Sequence, residues 1–344
     1  MKNDTNSPCV DVNDILYSIT QKNLVYNYNF MYFSNKAVSS SGTVEYKHPD
    51  GWIYSDSGSS GEIGLEGDRC RILKSNDDTS LMTLKQNLNE FPRWETVLQG
   101  ESVSAKGTMS ISDKCQVTVT ISDCITSNEQ SFYLDAGGEV EFDLGIDVDI
   151  TAKNLFIQVS SSSKSAIIKI SSIYANIGKV AIENLPCIVN GVIGERKQYI
   201  ATENSPAEEI SLCADAKPVL ANQTRLNSVL NYRFGKSDQG YSLLPDVRGY
   251  FSRAWNNSAS IDKDPSSREM LGDKAVKGDF VGTQEEDIFT EHDHKIDYST
   301  VPISQGPGAA GTGLNLTVSS NTAKNGGGET RPVNIAELYT IKWA

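Results

Sequence analysis

The sequence predicts an all-β protein, and three observations carry that reading. Residues 115–121 (CQVTVTI) place Cys115, Val117, Val119 and Ile121 on one face, with Gln and Thr on the other. Residues 140–150 (VEFDLGIDVDI) alternate as strictly, with Val140, Phe142, Leu144, Ile146, Val148 and Ile150 together. Segments 155–160 (LFIQVS) and 166–177 (AIIKISSIYANI) follow at similar spacing, with clusters of Ser, Gly, Asn and Asp between the runs. Period-two alternation with one wet face is the pattern of antiparallel sheets, so residues 23–178 are expected to form an antiparallel β-sandwich. Helical periodicity is confined to a stretch at 12–21 (VNDILYSITQ) and a turn or two at 224–234 (TRLNSVLNYRF). From about residue 187 the alternation fades while Gly, Pro and Asp rise.

Composition narrows the function classes. The 344 residues carry a formal net charge of −13 and a pI near 4.8. An acidic chain repels phosphate backbones, which disfavours nucleic acid as a partner, while neutral sugars and protein receptors stay open. The opening MKNDTNSPCVDVND lacks the apolar run of a secretory signal, and no apolar run approaches a membrane span of about 20 residues. Synthesis in the cytosol without a signal peptide, and no membrane insertion, are therefore expected. The six cysteines form no CxxC pair, which argues against a zinc ribbon and favours free thiols; whether Cys115 and Cys124 meet is open.

Three segments pose chemical questions. Trp52 and Trp94 are candidates for stacking on sugar C–H faces, or for core burial. Asp147 and Asp149, on the polar face of one strand, raise calcium, but such carboxylates are more often simply solvated, and EF-hand spacing is absent. Residues 290–298 (TEHDHKIDY) hold His292 and His294, two of only three histidines. In a strand, residues i and i+2 face one way, so the two imidazoles form either an exposed pair or half of a metal site.

The stretches NLVYNYNFMYFS and HPDGWIYSD open the sandwich in a way that resembles the jelly-roll modules of phage tail fibres and carbohydrate-binding domains. The second half resembles the tail-collar family of phage tail-fibre tips. GERKQYIA, EISLCADAKPV, LPDVRG, DKDPSSRE, GDFVGTQEEDIFTEHDH and GGGETRPVNIAELYTIKWA follow in the family's order, although the usual Gly-Trp before the cysteine stretch is missing. Within these blocks, Arg248 and Arg253 are expected to pair with carboxylates such as Asp246, Asp287 or Glu329. The last strand is expected to dock Ile335, Leu338 and Ile341 inward.

Taken together, the expected organisation is an N-terminal connector (1–22), a jelly-roll sandwich (23–178) and a loop-rich, trimeric tail-collar tip domain (179–344). The resemblance implies a homotrimer, attached to upstream fibre segments, that recognises a host-surface glycan or protein. It also implies a location on a virion tail fibre or an extracellular phage-like particle. Three copies of His292 and His294 offer six imidazoles, a set suited to octahedral Fe(II) ahead of nickel, cobalt or zinc. The Gly/Ser/Asn/Thr-rich stretch 295–325 is the expected contact loop, with Tyr298 its one aromatic and Trp94 the sandwich's candidate contact. A non-enzymatic adhesin is expected. The competing readings are a tailspike-like polysaccharide depolymerase, which needs two carboxylates across a groove, and a bacterial surface adhesin that uses a collar module.

Overall fold

The computed structural model describes residues 21–33, 36–39, 42–45, 48–58, 61–75, 77–286 and 334–344. Strands β1 (Lys36–Ser39) and β2 (Gly42–Glu45) form a hairpin. Then come β3 (Ile53–Asp56), β4 (Glu62–Glu66), β5 (Arg69–Leu73), β6 (Met82–Asn87), the short helix α1 (Trp94–Leu98), β7 (Ser102–Ile111), β8 (Cys115–Ser122), β9 (Ser127–Leu134), β10 (Gly138–Asp147), β11 (Phe156–Ser161) and β12 (Ile167–Ile177). They build two five-stranded antiparallel sheets: a first in the order β10-β7-β12-β5-β4 and a second in the order β3-β6-β11-β8-β9. The fold is the expected antiparallel sandwich.

The alternation puts its apolar sets between the sheets. Cys115, Val117, Val119 and Ile121 meet Val140, Phe142, Leu144 and Ile146 there, with Ile157, Val159, Ile168 and Ile170. One core position demands glycine. A Cβ at Gly107 of β7 would sit 2.4 Å from the Ser172 carbonyl and 2.7 Å from the Phe142 ring, where the register of β12 slips between Ile170 and Ser172. The bulge lets two backbones approach too closely for any side chain.

The Asn-rich opening and the PDGW turn are one structural device. Asn27 donates through Nδ2 to the carbonyls of Tyr32 (2.9 Å) and Asp50 (3.1 Å), and its Oδ1 accepts the Tyr32 N–H. Gly51 holds φ +81° against the Tyr26 ring. The turn thereby drops Trp52 into the core, fully buried and 5.1 Å from the Phe30 ring. Asn23 accepts the N–H groups of Val25 and Ala175 through Oδ1, fixing the entry of the chain onto β12. These asparagines do turn chemistry.

On one side the sandwich closes without a shared ladder. Asn128 of β9 donates to the Gly145 carbonyl (2.9 Å), and Gln130 accepts the Asp143 N–H (3.3 Å). Both bonds fall on the edge strand β10.

After the sandwich, β13 (Arg196–Tyr199), β14 (Glu209–Ser211) and the terminal β18 (Leu338–Lys342) form a sheet in the order β13-β18-β14. Helix α2 (Thr224–Leu230) lies where short helicity is expected, and β15 (Glu269–Met270), β16 (Asp273–Lys277) and β17 (Thr283–Gln284) make a small sheet. A second core gathers Val189, Ile193, Leu212, Val219, Leu226, Leu230, Leu244 and Ile341 around Tyr26, a residue of the sandwich's opening. The described residues up to Gln284, with Glu337–Ala344, belong to one compact unit.

A buried polar joint holds that unit together. Glu90, in the loop after β6, accepts the N–H groups of Thr224 and Arg225 (both 2.8 Å), the Thr224 hydroxyl and the Asn87 amide (3.1 Å). It caps α2 from another part of the chain, because Gln223 before the helix makes no side-chain cap and the first N–H groups of a helix need acceptors. Arg225 is fully buried and donates to the carbonyls of Leu24 (2.9 Å), Asn87 (2.8 Å) and Glu90 (3.4 Å). Burial lowers the affinity of this guanidinium for its proton, and the Glu90 carboxylate opposes that shift.

The expected inward trio at the C-terminus is corrected in part. Ile341 is buried and Leu338 half-buried, but Ile335 is 64% exposed, because it precedes β18 and has no sheet neighbour. Arg248 does pair with Asp246 (2.6 Å), and also with Asp215 (2.5 Å), while Arg253 faces Asp262 (3.5 Å). Asp287 and Glu329 lie outside the described residues. Cys70, Cys115, Cys124, Cys187 and Cys213 are all free thiols.

Candidate functional site

The two sheets present outward faces of different chemistry. On the first, the cations are spent on neighbours: Arg69 on Glu139, Arg71 and Lys169 on Glu66, and Lys106 on Glu183. Such a face is a solvated ion-pair surface.

The second sheet differs. Because Leu155, Ile157 and Val159 point inward, Phe156 of β11 shares the outer face with Gln158. Lys85 of β6 lies directly opposite Gln158 in register, and its ammonium sits 3.7 Å from the centroid of the Phe156 ring. Across the sheet, Thr120 of β8 and Glu129 of β9 continue the same row. At the far corner Tyr133, 57% exposed, stands opposite Gln116. Phe156 is paired with Ser122, six residues from Gln116 along β8. At about 3.3 Å per residue the two aromatics are therefore separated by about 20 Å along the strands, the reach of a short oligosaccharide.

Most polar groups between them are uncommitted. Thr118 and Ser131 share a hydrogen bond of 2.8 Å. The side chains of Gln158, Thr120, Glu129 and Tyr133 make no hydrogen bond among the described residues. Burial lowers the pKa of Lys85, with Cys124 opposing. Two aromatic rings flanking unbonded amide and hydroxyl groups, with an ammonium held against one of the rings, can stack on sugar C–H surfaces and bond hydroxyls.

Asp123 and Asp149 flank one end of this face and are structurally occupied. Asp123 is buried, which works to raise its pKa, yet the N–H groups of Asp149 (2.8 Å), Thr126 (2.6 Å) and Ile125 (2.8 Å) hold it below the ordinary value. Asp149 accepts from both the N–H and the hydroxyl of Thr151, and Asp147 accepts from Ser102 (2.5 Å). Among the described residues no three His, Cys, Asp or Glu side chains gather as a metal site.

Comparison with known proteins adds outline similarity. No protein-family model and no curated protein matches the sequence. Among solved structures, the chain is similar to TmCBM61, solved with β-1,4-galactotriose (14% identity, 45% of this chain and 97% of that one, TM-score 0.29). It is similar to a family 29 carbohydrate-binding module, CBM29-2 (11% identity, 49% and 99%, TM-score 0.28). It is also similar to the enzymatically active domain of tailspike protein 4 of bacteriophage CBA120 (13% identity, 45% and 21%, TM-score 0.31). No contact residue is carried over from any of them.

Of the expected site residues, His292, His294 and Tyr298 lie outside the described residues. Trp94 is corrected: it opens α1, is only 8% exposed, and packs into the sandwich core, so its ring offers no free face for a sugar. Arg93, in the left-handed region at φ 60°, turns the chain inward just before it. Phe156, Lys85 and Tyr133 are the residues that sequence reasoning missed.

Proposed function

We propose that this chain is a non-enzymatic, receptor-binding tip protein of a phage tail fibre or phage-tail-like particle. In this reading the outer face of the second sheet binds a host-surface glycan. The observation that carries it is the row Lys85–Gln158–Thr120–Glu129, with Phe156 and Tyr133 toward opposite ends of the strands and its amide and hydroxyl groups unspent. Binding rather than cleavage fits the face, because Glu129 is its one outward carboxylate on β9 and glycoside hydrolysis uses two, about 5–9.5 Å apart.

The particle context rests on the ordered tail-collar blocks of the second half. Phe251 and Trp255, 62% and 51% exposed, are large apolar surfaces that neighbouring protomers of a homotrimer would cover. In that trimer His292 and His294 of three chains supply six neutral imidazoles, an octahedral set for Fe(II). Segment 295–325 adds a second host contact, with Tyr298 its aromatic.

The test is a glycan-array and whole-cell binding screen with the full chain, the Phe156→Ala variant, and a variant with 295–325 replaced by a short Gly-Ser link. Loss of glycan signal in Phe156→Ala, with the fold intact, supports the face. Cell attachment lost only in the loop variant, with no glycan bound by the parent, would assign recognition to the loop and refute the face.

A further inference from the structure

This inference rests on the glycan-binding reading and concerns the class of glycan. Among the outward residues of the second sheet, Lys85 is the one cation, and it has no carboxylate partner among the described residues. The contrast with the first sheet is informative, since there every outward cation is paired with an acid. A chain of net charge −13 has carboxylates to spare, yet among the described residues none is placed beside this ammonium. Its neighbours among the described residues are the Phe156 ring, the Cys124 side chain, and Ile53 and the unbonded carboxamide of Gln158, the last two opposite it in register.

We propose that Lys85 and Gln158 form a subsite for the carboxylate of an acidic sugar, so that the ligand is a uronate-containing polysaccharide. The ammonium and the amide N–H₂ are donors that suit the two oxygens of one carboxylate, while the Phe156 ring holds the ammonium in place. Partial burial already disfavours the unpaired charge and lowers its pKa; an incoming anion relieves that strain. An acidic protein repels polyanions at long range, so discrimination in favour of an acidic glycan has to come from a local cation, which this one is. A neutral glycan would need only the hydroxyls, the amide and the aromatic rings.

The test is calorimetric titration of the full chain with tetrasaccharides of galacturonate, mannuronate and glucuronate, each beside its carboxyl-reduced neutral twin. At least one acid is expected to bind ten times more tightly than its twin, and to weaken as salt is raised. Lys85→Met removes the ammonium from the Phe156 ring and should abolish that preference, so that acid and neutral twin bind with equal Kd. Phe156→Ala should weaken both, and melting curves confirm that each variant is folded. Equal binding of acid and twin, or a preference that survives Lys85→Met, overturns the acidic-sugar subsite and leaves the glycan face standing. No binding of any glycan here or on the array overturns both.

Discussion

Glu90→Gln is the most direct test of the joint between the sandwich and the second half. The carboxylate is 1% exposed and accepts four hydrogen bonds, one oxygen taking Asn87 and both donors of Thr224, the other taking the Arg225 N–H. A glutamine amide has one acceptor oxygen, so in either orientation its N–H₂ confronts a backbone donor. The substitution also removes the negative charge that offsets Arg225. A buried donor left without an acceptor costs about 1–3 kcal/mol, and loss of the charge that offsets the buried guanidinium adds to it, so the upper end, about 3 kcal/mol, is expected. For domains of 150–250 residues each kcal/mol moves Tm by about 2–4 °C, giving a drop of about 6 °C or more by circular dichroism at neutral pH. Arg225→Met in the same chain removes the stranded charge, so the double variant should be more stable than the sum of the single losses by about 1 kcal/mol or more. A Tm within about 2 °C of the parent, or strictly additive losses, would refute the joint.

Other outcomes are equally specific. Trp94→Ala should lower stability by about 3–5 kcal/mol in urea unfolding, as for a large aromatic lost from a core, and leave the glycan Kd of the folded fraction unchanged; weaker glycan binding with normal stability would return Trp94 to the surface. Glu209 is buried, which pushes its pKa up, but bonds from Thr340, Lys197 and Tyr199 outweigh this and hold it below its ordinary 4.5. Its contribution is therefore present above about pH 4.5 and lost as pH falls through the depressed folded value. Glu209→Gln should be less stable at neutral pH by about 1.5–3 kcal/mol and lose less than the parent on acidification, and parallel pH profiles would contradict this. Elemental analysis of untagged protein should find about one metal ion per three chains, absent from the His292→Ala/His294→Ala variant, together with a trimer by light scattering. Metal-free trimers of unchanged stability would falsify the six-imidazole site.

The parts of the fold that were legible in sequence are those where one strand face is wet and the other dry. Strands β8, β10 and β11 announce themselves because their inward sets are unbroken, and β12 does so through the apolar runs on either side of its bulge. Strand β6 does not, since Gln86 takes an inward position and is satisfied by the N–H and carbonyl of Tyr26, sixty residues away. Edge strand β9 reads as polar because only Phe132 and Leu134 reach the core. The joint was invisible for the same reason, as Glu90 and α2 come together only through the fold. For the candidate site a signal did exist. In LFIQVS the apolar parity of Leu155, Ile157 and Val159 assigns Phe156 to the wet side, and a large aromatic on that parity marks a surface platform. Trp94 misled because its Pro92 neighbour reads as a loop, whereas the left-handed Arg93 folds the ring back under the sheet.

The side-chain closure between β9 and β10 has a consequence for crowding. An edge strand with unpaired N–H and carbonyl groups is a template for another chain's strand. Here Asn128 and Gln130 occupy two of those groups on β10, and its outward residues Glu139, Glu141, Asp143 and Asp147 line the same strand with negative charge. Two copies brought edge to edge would meet plugged donors and matching carboxylates. Sandwiches held at high local density therefore stay separate along this side, and their aromatic faces stay open to what lies outside.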